Sequence, residues 1–179
     1  MMKRTSLLAI VIGMNFTMPA QAYDGMITFQ GDITDNTCEI SVNGGGATET
    51  VSLPKIPAFA LNSPGVTQGD TPFTIALSNC TGATLSSAYT YFESGTYLDS
   101  VSGRLNTVSG SDSAGNIQIQ LLDNTHQPIF IGDQSSQSSN LIDISSGSGL
   151  MDYIARYYAT DAATAGTVYT SVNYSIVYL

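Results

Sequence analysis

Tryptophan is absent from this chain, and histidine occurs once, as His126. Basic residues are scarce: five lysines and arginines stand against 14 aspartates and glutamates, a formal net charge of −9. So acidic a chain repels polyanions, which excludes nucleic acid and anionic lipid as natural partners. Charged residues make up only 11% of the sequence. Ser, Thr, Gly and Asn supply most of the polar surface instead. The composition is not a disordered one, because apolar and aromatic residues recur throughout. No apolar run approaches membrane-spanning length, no segment keeps a helical period over a dozen residues, and no internal repeat is visible.

What is present begins with a leader. Lys3 and Arg4 open the chain, Leu7 to Met14 is apolar, and Ala20-Gln21-Ala22 is a small-x-small cleavage site. This is the pattern of a secretory signal over residues 1–22, too short in its apolar part for an anchor. Cleavage leaves Tyr23 to Leu179, an exported, soluble single domain by expectation. Its basic residues are then only Lys55, Arg104 and Arg156.

Two cysteines, Cys38 and Cys80, in an exported chain argue for one disulfide. The loop-entropy account assigns a cross-link of this span about 4 kcal/mol. A metal site is the weaker reading, since His126 lies in the turn-like Asp123-Asn124-Thr125-His126-Gln127-Pro128 segment and no four-ligand set forms without carboxylates.

Strand signals dominate the rest. Met26 to Ile33, Cys38 to Val42, Thr50 to Leu53, Phe73 to Leu77, Tyr89 to Phe92, Ile117 to Leu122 and Asp152 to Ala159 read as strands. Ile129 to Ile131 reads as the second arm of a hairpin with Ile117 to Leu122. Gly166 to Leu179 reads as one long terminal strand. Asn43 to Gly46, Gln134 to Asn140 and Ser145 to Gly149 read as loops or turns. Short strands separated by turn signals every eight to twelve residues predict an all-β sandwich.

Catalytic and metal constellations are not found in the sequence. Ser146-Gly147-Ser148-Gly149 does not fit a nucleophile elbow. His126 in a turn reads as a solvated residue. Asp32 and Asp35 lack calcium-loop spacing. Neither cysteine belongs to a Cys-x-x-Cys motif. Arg156, in a strand beside tyrosines, reads as an ion-pair or stacking residue. The expectation is a protein that is not an enzyme and carries no cofactor.

Both ends of the exported chain alternate with period two. At the front, Gly25, Ile27, Phe29, Gly31 and Ile33 share one face. At the back, Val168, Thr170, Val172, Tyr174, Ile176 and Tyr178 share one face. Two long terminal strands expose unpaired backbone unless something lies beside them. The periodicity alone fits an ordinary first strand of an intact sandwich equally well.

Taken together, several segments resemble the chaperone–usher fimbrial subunits of the type 1 pilin kind. They are Gly31-Asp-Ile-Thr-Asp-Asn-Thr-Cys38, Phe73-Thr-Ile-Ala-Leu-Ser-Asn-Cys80, Ala155-Arg-Tyr-Tyr-Ala-Thr160 and Ala162-Ala-Thr-Ala-Gly166. A glycine fourteenth from the end, Gly166, and a penultimate tyrosine, Tyr178, complete the set. The resemblance implies an incomplete immunoglobulin-like sandwich whose hydrophobic groove is filled by a donor strand. It implies an N-terminal donor extension over residues 23–36, with Gly25, Ile27, Phe29, Gly31 and Ile33 turned inward, and a pilin domain over residues 37–179. Gly31 would let the donor backbone approach a shallow part of the groove. Gly166, Val168, Thr170, Val172, Tyr174, Ile176, Tyr178 and Leu179 would form the groove and the contact with chaperone or next subunit. The Leu179 carboxylate would meet basic chaperone residues. A Cys38–Cys80 disulfide fits the family pattern. The implied partners are other pilus subunits, a periplasmic fimbrial chaperone and an outer-membrane usher, with passage through the periplasm to the cell-surface fimbria. The competing readings are a minor adaptor subunit of such a pilus, a self-contained secreted sandwich whose tyrosines recognise carbohydrate, and a small secreted hydrolase.

Overall fold

The computed structural model describes Met26, Thr28 and residues 37–82 and 86–179. The chain divides into two units, Met1–Ile33 and Thr34–Leu179. The anticipated leader lies outside the described residues, and so do Gly25, Ile27, Phe29, Gly31 and Ile33 of the anticipated donor extension.

The described residues of the second unit form nine strands in order: β1 (Thr37–Val42), β2 (Thr67–Thr81), β3 (Ser87–Phe92), β4 (Leu98–Asp99), β5 (Arg104–Asn106), β6 (Ile117–Leu122), β7 (Ile142–Asp143), β8 (Gly149–Ala159) and β9 (Tyr174–Tyr178). They form a six-stranded sheet, ordered β1-β2-β8-β6-β5-β4, and a three-stranded sheet, ordered β7-β3-β9. Every ladder is antiparallel.

The core lies between the sheets. Phe73, Ile75 and Leu77 of β2, Met151, Tyr153 and Ala155 of β8, and Ile119 and Leu121 of β6 meet Ala88 and Phe92 of β3. Period-two spacing puts these side chains on one face of each strand. Tyr153 joins the layers, with its ring 5.5 Å from Phe73 and edge-on to Phe92 at 5.1 Å. Such aromatic pairs add about 0.5–1.5 kcal/mol beyond their buried area.

β2 is longer than the Phe73–Leu77 segment read from sequence and runs through Pro72. The backbone explains why proline is tolerated. Thr74 N–H points toward β1 and donates to Asn43 Oδ1 at 2.8 Å. The nitrogen of Pro72, two residues back, points to the same side, where the β1 ladder has already ended at Val42↔Ile75. No donor is needed there. Gly69, at φ +76°, takes up the register shift between Gln68 and Thr71.

Other sequence expectations are corrected. Thr50–Leu53 is not a strand: it is extended and alternates in burial but joins no ladder. Of the long terminal segment, Tyr174–Tyr178 pairs with β3 and Thr167 makes a single bridge with Ser113; Val168–Asn173 joins no ladder among the described residues. Ile129–Ile131 forms no hairpin arm: Pro128, just before it, makes a single bridge with Leu122, and Ile129 N–H donates to Leu121 O at 2.9 Å. The Ser/Gln-rich loop contains a helical turn, α1 (Gln134–Gln137), capped by Asp133 accepting from Ser135 N–H. Gln137 is almost fully buried. Its Oε1 accepts from Phe92 N–H at 2.7 Å and its Nε2 donates to Phe92 O at 3.2 Å. One side-chain amide thus does for β3 what a neighbouring peptide group would do.

On the face of the larger sheet opposite Ile119 and Leu121, Gln118 and Gln120 of β6 are also buried. Arg104 Nε donates to Gln118 at 2.7 Å, and its guanidinium stacks 3.8 Å from the Tyr158 ring. Arg156 donates twice to Gln120 Oε1, at 3.0 and 2.8 Å, and lies 4.0 Å from Asp70. Gln118 also donates to Asp99 and Asn106, both at 2.9 Å. Ser102 and Gln118 together hold the Asp99 carboxyl down at about 2.

Candidate functional site

The segment that leaves β1 turns at Asn43 and Gly44, both with positive φ, and then runs along one rim of a cleft of about 900 Å³. Ala47 to Leu53 forms this rim, and Val168 to Tyr174 forms the other. The floor between them is apolar, made by Phe73, Ile75, Phe92, Leu105, Ile119 and Leu121.

The second rim combines two alternations. Val168, Thr170, Val172, Tyr174, Ile176 and Tyr178 are partly buried, whereas Tyr169, Ser171, Asn173 and Ser175 are exposed. Tyr169 O accepts from Val108 N–H at 2.8 Å and Asn173 O from Glu93 N–H at 2.8 Å. Further along, Leu179 N–H donates to Ser87 O at 2.9 Å. The odd-numbered residues therefore direct their backbone groups toward the fold. In an extended chain the even-numbered residues direct theirs the other way, toward the open edge of β9 and the cleft. The same residues that turn their side chains to the core thus present a row of backbone donors and acceptors.

The first rim matches it. Val51 and Leu53 turn inward against the core, and Thr50 and Ser52 turn outward. Residues 48–53 make no backbone–backbone hydrogen bond with any other described residue. Two rims with peptide groups that lack backbone partners, lining a cleft with an apolar floor, are what an added β-strand can use. Orphaned backbone groups beside apolar surface are costly unless such a strand or water meets them.

Two tyrosines tie the first rim down. Tyr174 Oη donates to Ala47 O at 2.6 Å, and Tyr157 Oη donates to Pro54 O at 3.2 Å. Burial pushes both phenols up from the ordinary value of 10.0, so they stay protonated donors at any physiological pH.

The remaining residues anticipated at the groove lie at its margins. Ile176 and Tyr178 pack on the core from β9 beyond the cleft. One oxygen of Leu179 accepts from the N–H groups of Ser86 and Ser87, both at 3.2 Å. Gly166 lies outside the lining, packed against the backbone of Ser113 and Ala114. Cys38 and Cys80 form the disulfide, tying β1 to the end of β2. His126 sits in its turn at φ +64°, and no metal-binding group of His, Cys, Asp and Glu occurs among the described residues. Sequence reasoning placed only the second rim at the groove; it missed the first rim, the floor with Leu105, and the tyrosine tethers. Leu105 lies in a strand of three residues, too short for a period to show.

Comparison with known proteins agrees with this architecture. The family model for type-1 fimbrial protein, A, matches residues 53–179. The chain is 39% identical to the major fimbrial subunit SMF-1 of Stenotrophomonas maltophilia, over 90% of this chain and 96% of that one. It is 40% identical to the F17 fimbrial protein of Escherichia coli, over 88% of each. A chain from the solved structure of a chaperone–usher pilus superposes with a TM-score of 0.62 at 20% identity, covering 91% of this chain and 99% of that one. With two opposed sheets, an open strand position and these likenesses along its length, the chain belongs to the type-1 fimbrial protein family and is a structural subunit of a fimbria.

Proposed function

We propose that this subunit polymerises by donor-strand exchange at the cleft between Ala47–Leu53 and Val168–Tyr174. The supporting observation is the pair of rims with unpaired backbone facing each other across an apolar floor. The donor is the extension of another subunit, residues 23–36, left at the front of the chain once the leader, residues 1–22, is removed. Ile27, Phe29 and Ile33 descend onto the floor, each stabilising the joint by about 1.5–3 kcal/mol. Gly31, without a side chain, lets the donor backbone sit close to the groove. The pilin domain, residues 37–179, receives that strand.

Before assembly, a periplasmic chaperone lends the strand and holds the Leu179 carboxylate with basic residues. An outer-membrane usher then exchanges it for the extension of the next subunit. The product is a surface fimbria that supports cell adhesion. The subunit acts as a building block and not as an enzyme.

Size analysis of the periplasmic protein tests this. Co-expression with a fimbrial chaperone gives a one-to-one complex that converts to a ladder of heat-resistant oligomers. Deleting Tyr23–Gly31 abolishes the ladder and leaves the chaperone complex intact. A stable monomer indifferent to the chaperone would overturn the reading.

A further inference from the structure

We propose that Tyr174 and Tyr157 are positioning residues that hold the Ala47–Pro54 rim at the separation one incoming strand needs. This inference rests on strand addition at the cleft.

The rim is unusual in what holds it. It is extended, yet residues 48–53 form no backbone–backbone hydrogen bond with any other described residue. Apart from the local bond of Glu49 Oε1 with Gly46 N–H at 2.9 Å, its polar attachments are at its two ends. At one end, Tyr174 Oη donates to Ala47 O at 2.6 Å. At the other, Tyr157 Oη donates to Pro54 O at 3.2 Å. The two tyrosines come from different sheets: Tyr174 opens β9 in the smaller one and Tyr157 lies in β8 of the larger. The rim is therefore referenced to both layers of the sandwich.

The Tyr174 tether spans the cleft, because Tyr174 and Ala47 line opposite rims. A tyrosine side chain with its hydrogen bond reaches about 9 Å from Cα to acceptor. One strand inserted between two neighbours needs about 9.6 Å between them, twice the ~4.8 Å spacing. The tether is thus about as long as the gap. Tyr174 also turns its ring toward the core, so the incoming strand passes over the ring and does not have to displace it.

Holding an unladdered rim in place before the strand arrives lowers the ordering cost of binding. Removing either hydroxyl leaves the ring packing and frees one end of the rim. The tethers thus act on capture of the strand more than on the sandwich itself.

The test uses the full exported chain, purified as its complex with a fimbrial chaperone, and a synthetic peptide of residues 23–36. Peptide uptake is timed for the wild type, Tyr174→Phe, Tyr157→Phe and the double variant. Each single variant slows uptake severalfold, the double variant slows it further, and peptide release quickens. Once peptide is bound, amide exchange across residues 48–53 is faster in the variants than in the wild type, while amides of β2 and β8 stay protected in both. Uptake rates equal to wild type overturn the inference. So does faster uptake, which would make the tyrosines latches. If the wild type itself takes up no peptide, strand addition at the cleft fails first, and this inference with it.

Discussion

Gly166 lies directly against Ala114, so close that a Cβ on Gly166 would overlap the Ala114 nitrogen and the Ser113 carbonyl carbon. Backbone, not a flexible side chain, occupies that space. Thr167 N–H then donates to Asp112 O at 2.7 Å, and Ala114 N–H to Thr167 O at 2.9 Å, so the contact is stitched on both sides. The glycine is what allows the second rim to start where it does. Gly166→Ala is expected to cost about 1–3 kcal/mol through overpacking, read as a lower denaturant midpoint of the purified chain. An unchanged midpoint would show that the 112–114 segment yields freely.

Gln137 offers a second test. Gln137→Leu keeps the volume but leaves Phe92 N–H without its buried partner, whereas Phe92 O keeps the Gly132 N–H at 3.0 Å. One unsatisfied buried group costs about 1–3 kcal/mol. The variant should lose about 1–3 kcal/mol, whereas Ser136→Ala, on the same turn but exposed to solvent at its bond to Phe130 O, should change little.

The disulfide closes a separation of 42 residues. Cys38→Ser with Cys80→Ser should destabilise the chain by about 4 kcal/mol in the loop-entropy account. Equilibrium unfolding of the variant beside the oxidised wild type measures it. Equal midpoints would mean that the unfolded state is already restricted without the cross-link.

Titration should bracket the fold from both sides. Burial raises the phenols of Tyr153, Tyr157 and Tyr174 above 10.0, so the folded state keeps protons that the unfolded state gives up first. The stability they contribute is whole below pH 10 and disappears as pH climbs through the raised values. Asp99 works in the other direction. Its carboxyl falls from 3.8 to about 2, so its contribution is whole above 3.8 and is lost as pH drops toward 2. Melting temperatures of Asp99→Asn should therefore fall less steeply between pH 4 and 2 than those of wild type.

How much was legible in the sequence depended on whether a feature is local. Side-chain alternation is local, and the inward sets of β6 and of Val168–Tyr178 follow from residue order alone. Ladders are not local. Thr50–Leu53 and Val168–Asn173 have the period of strands but join no ladder among the described residues, because a ladder needs a neighbour that residue order does not supply. Composition misled at Gln134–Asn140: serine and glutamine marked a loop, yet Gln137 is buried because its amide matches the hydrogen-bonding pattern of a peptide group. The tyrosine tethers were invisible because their acceptors, Ala47 and Pro54, are backbone carbonyls distant in sequence. Pro72 inside β2 was unreadable for a similar reason, since only the sheet order reveals which side of the strand is unoccupied.

The Cys38–Cys80 bond also decides where mechanical load enters the domain. The disulfide lies one residue inside the start of β1, and β1 is an edge strand. Tension drawn from the chain before Thr37 meets the sulfur bridge almost at once. It passes covalently into the end of β2, which is paired along most of its length to β8. Without the bridge the same pull would unzip the β1 ladder one hydrogen-bonded pair at a time. With it, the force must shear several strands together, and a peeling joint becomes a rivet.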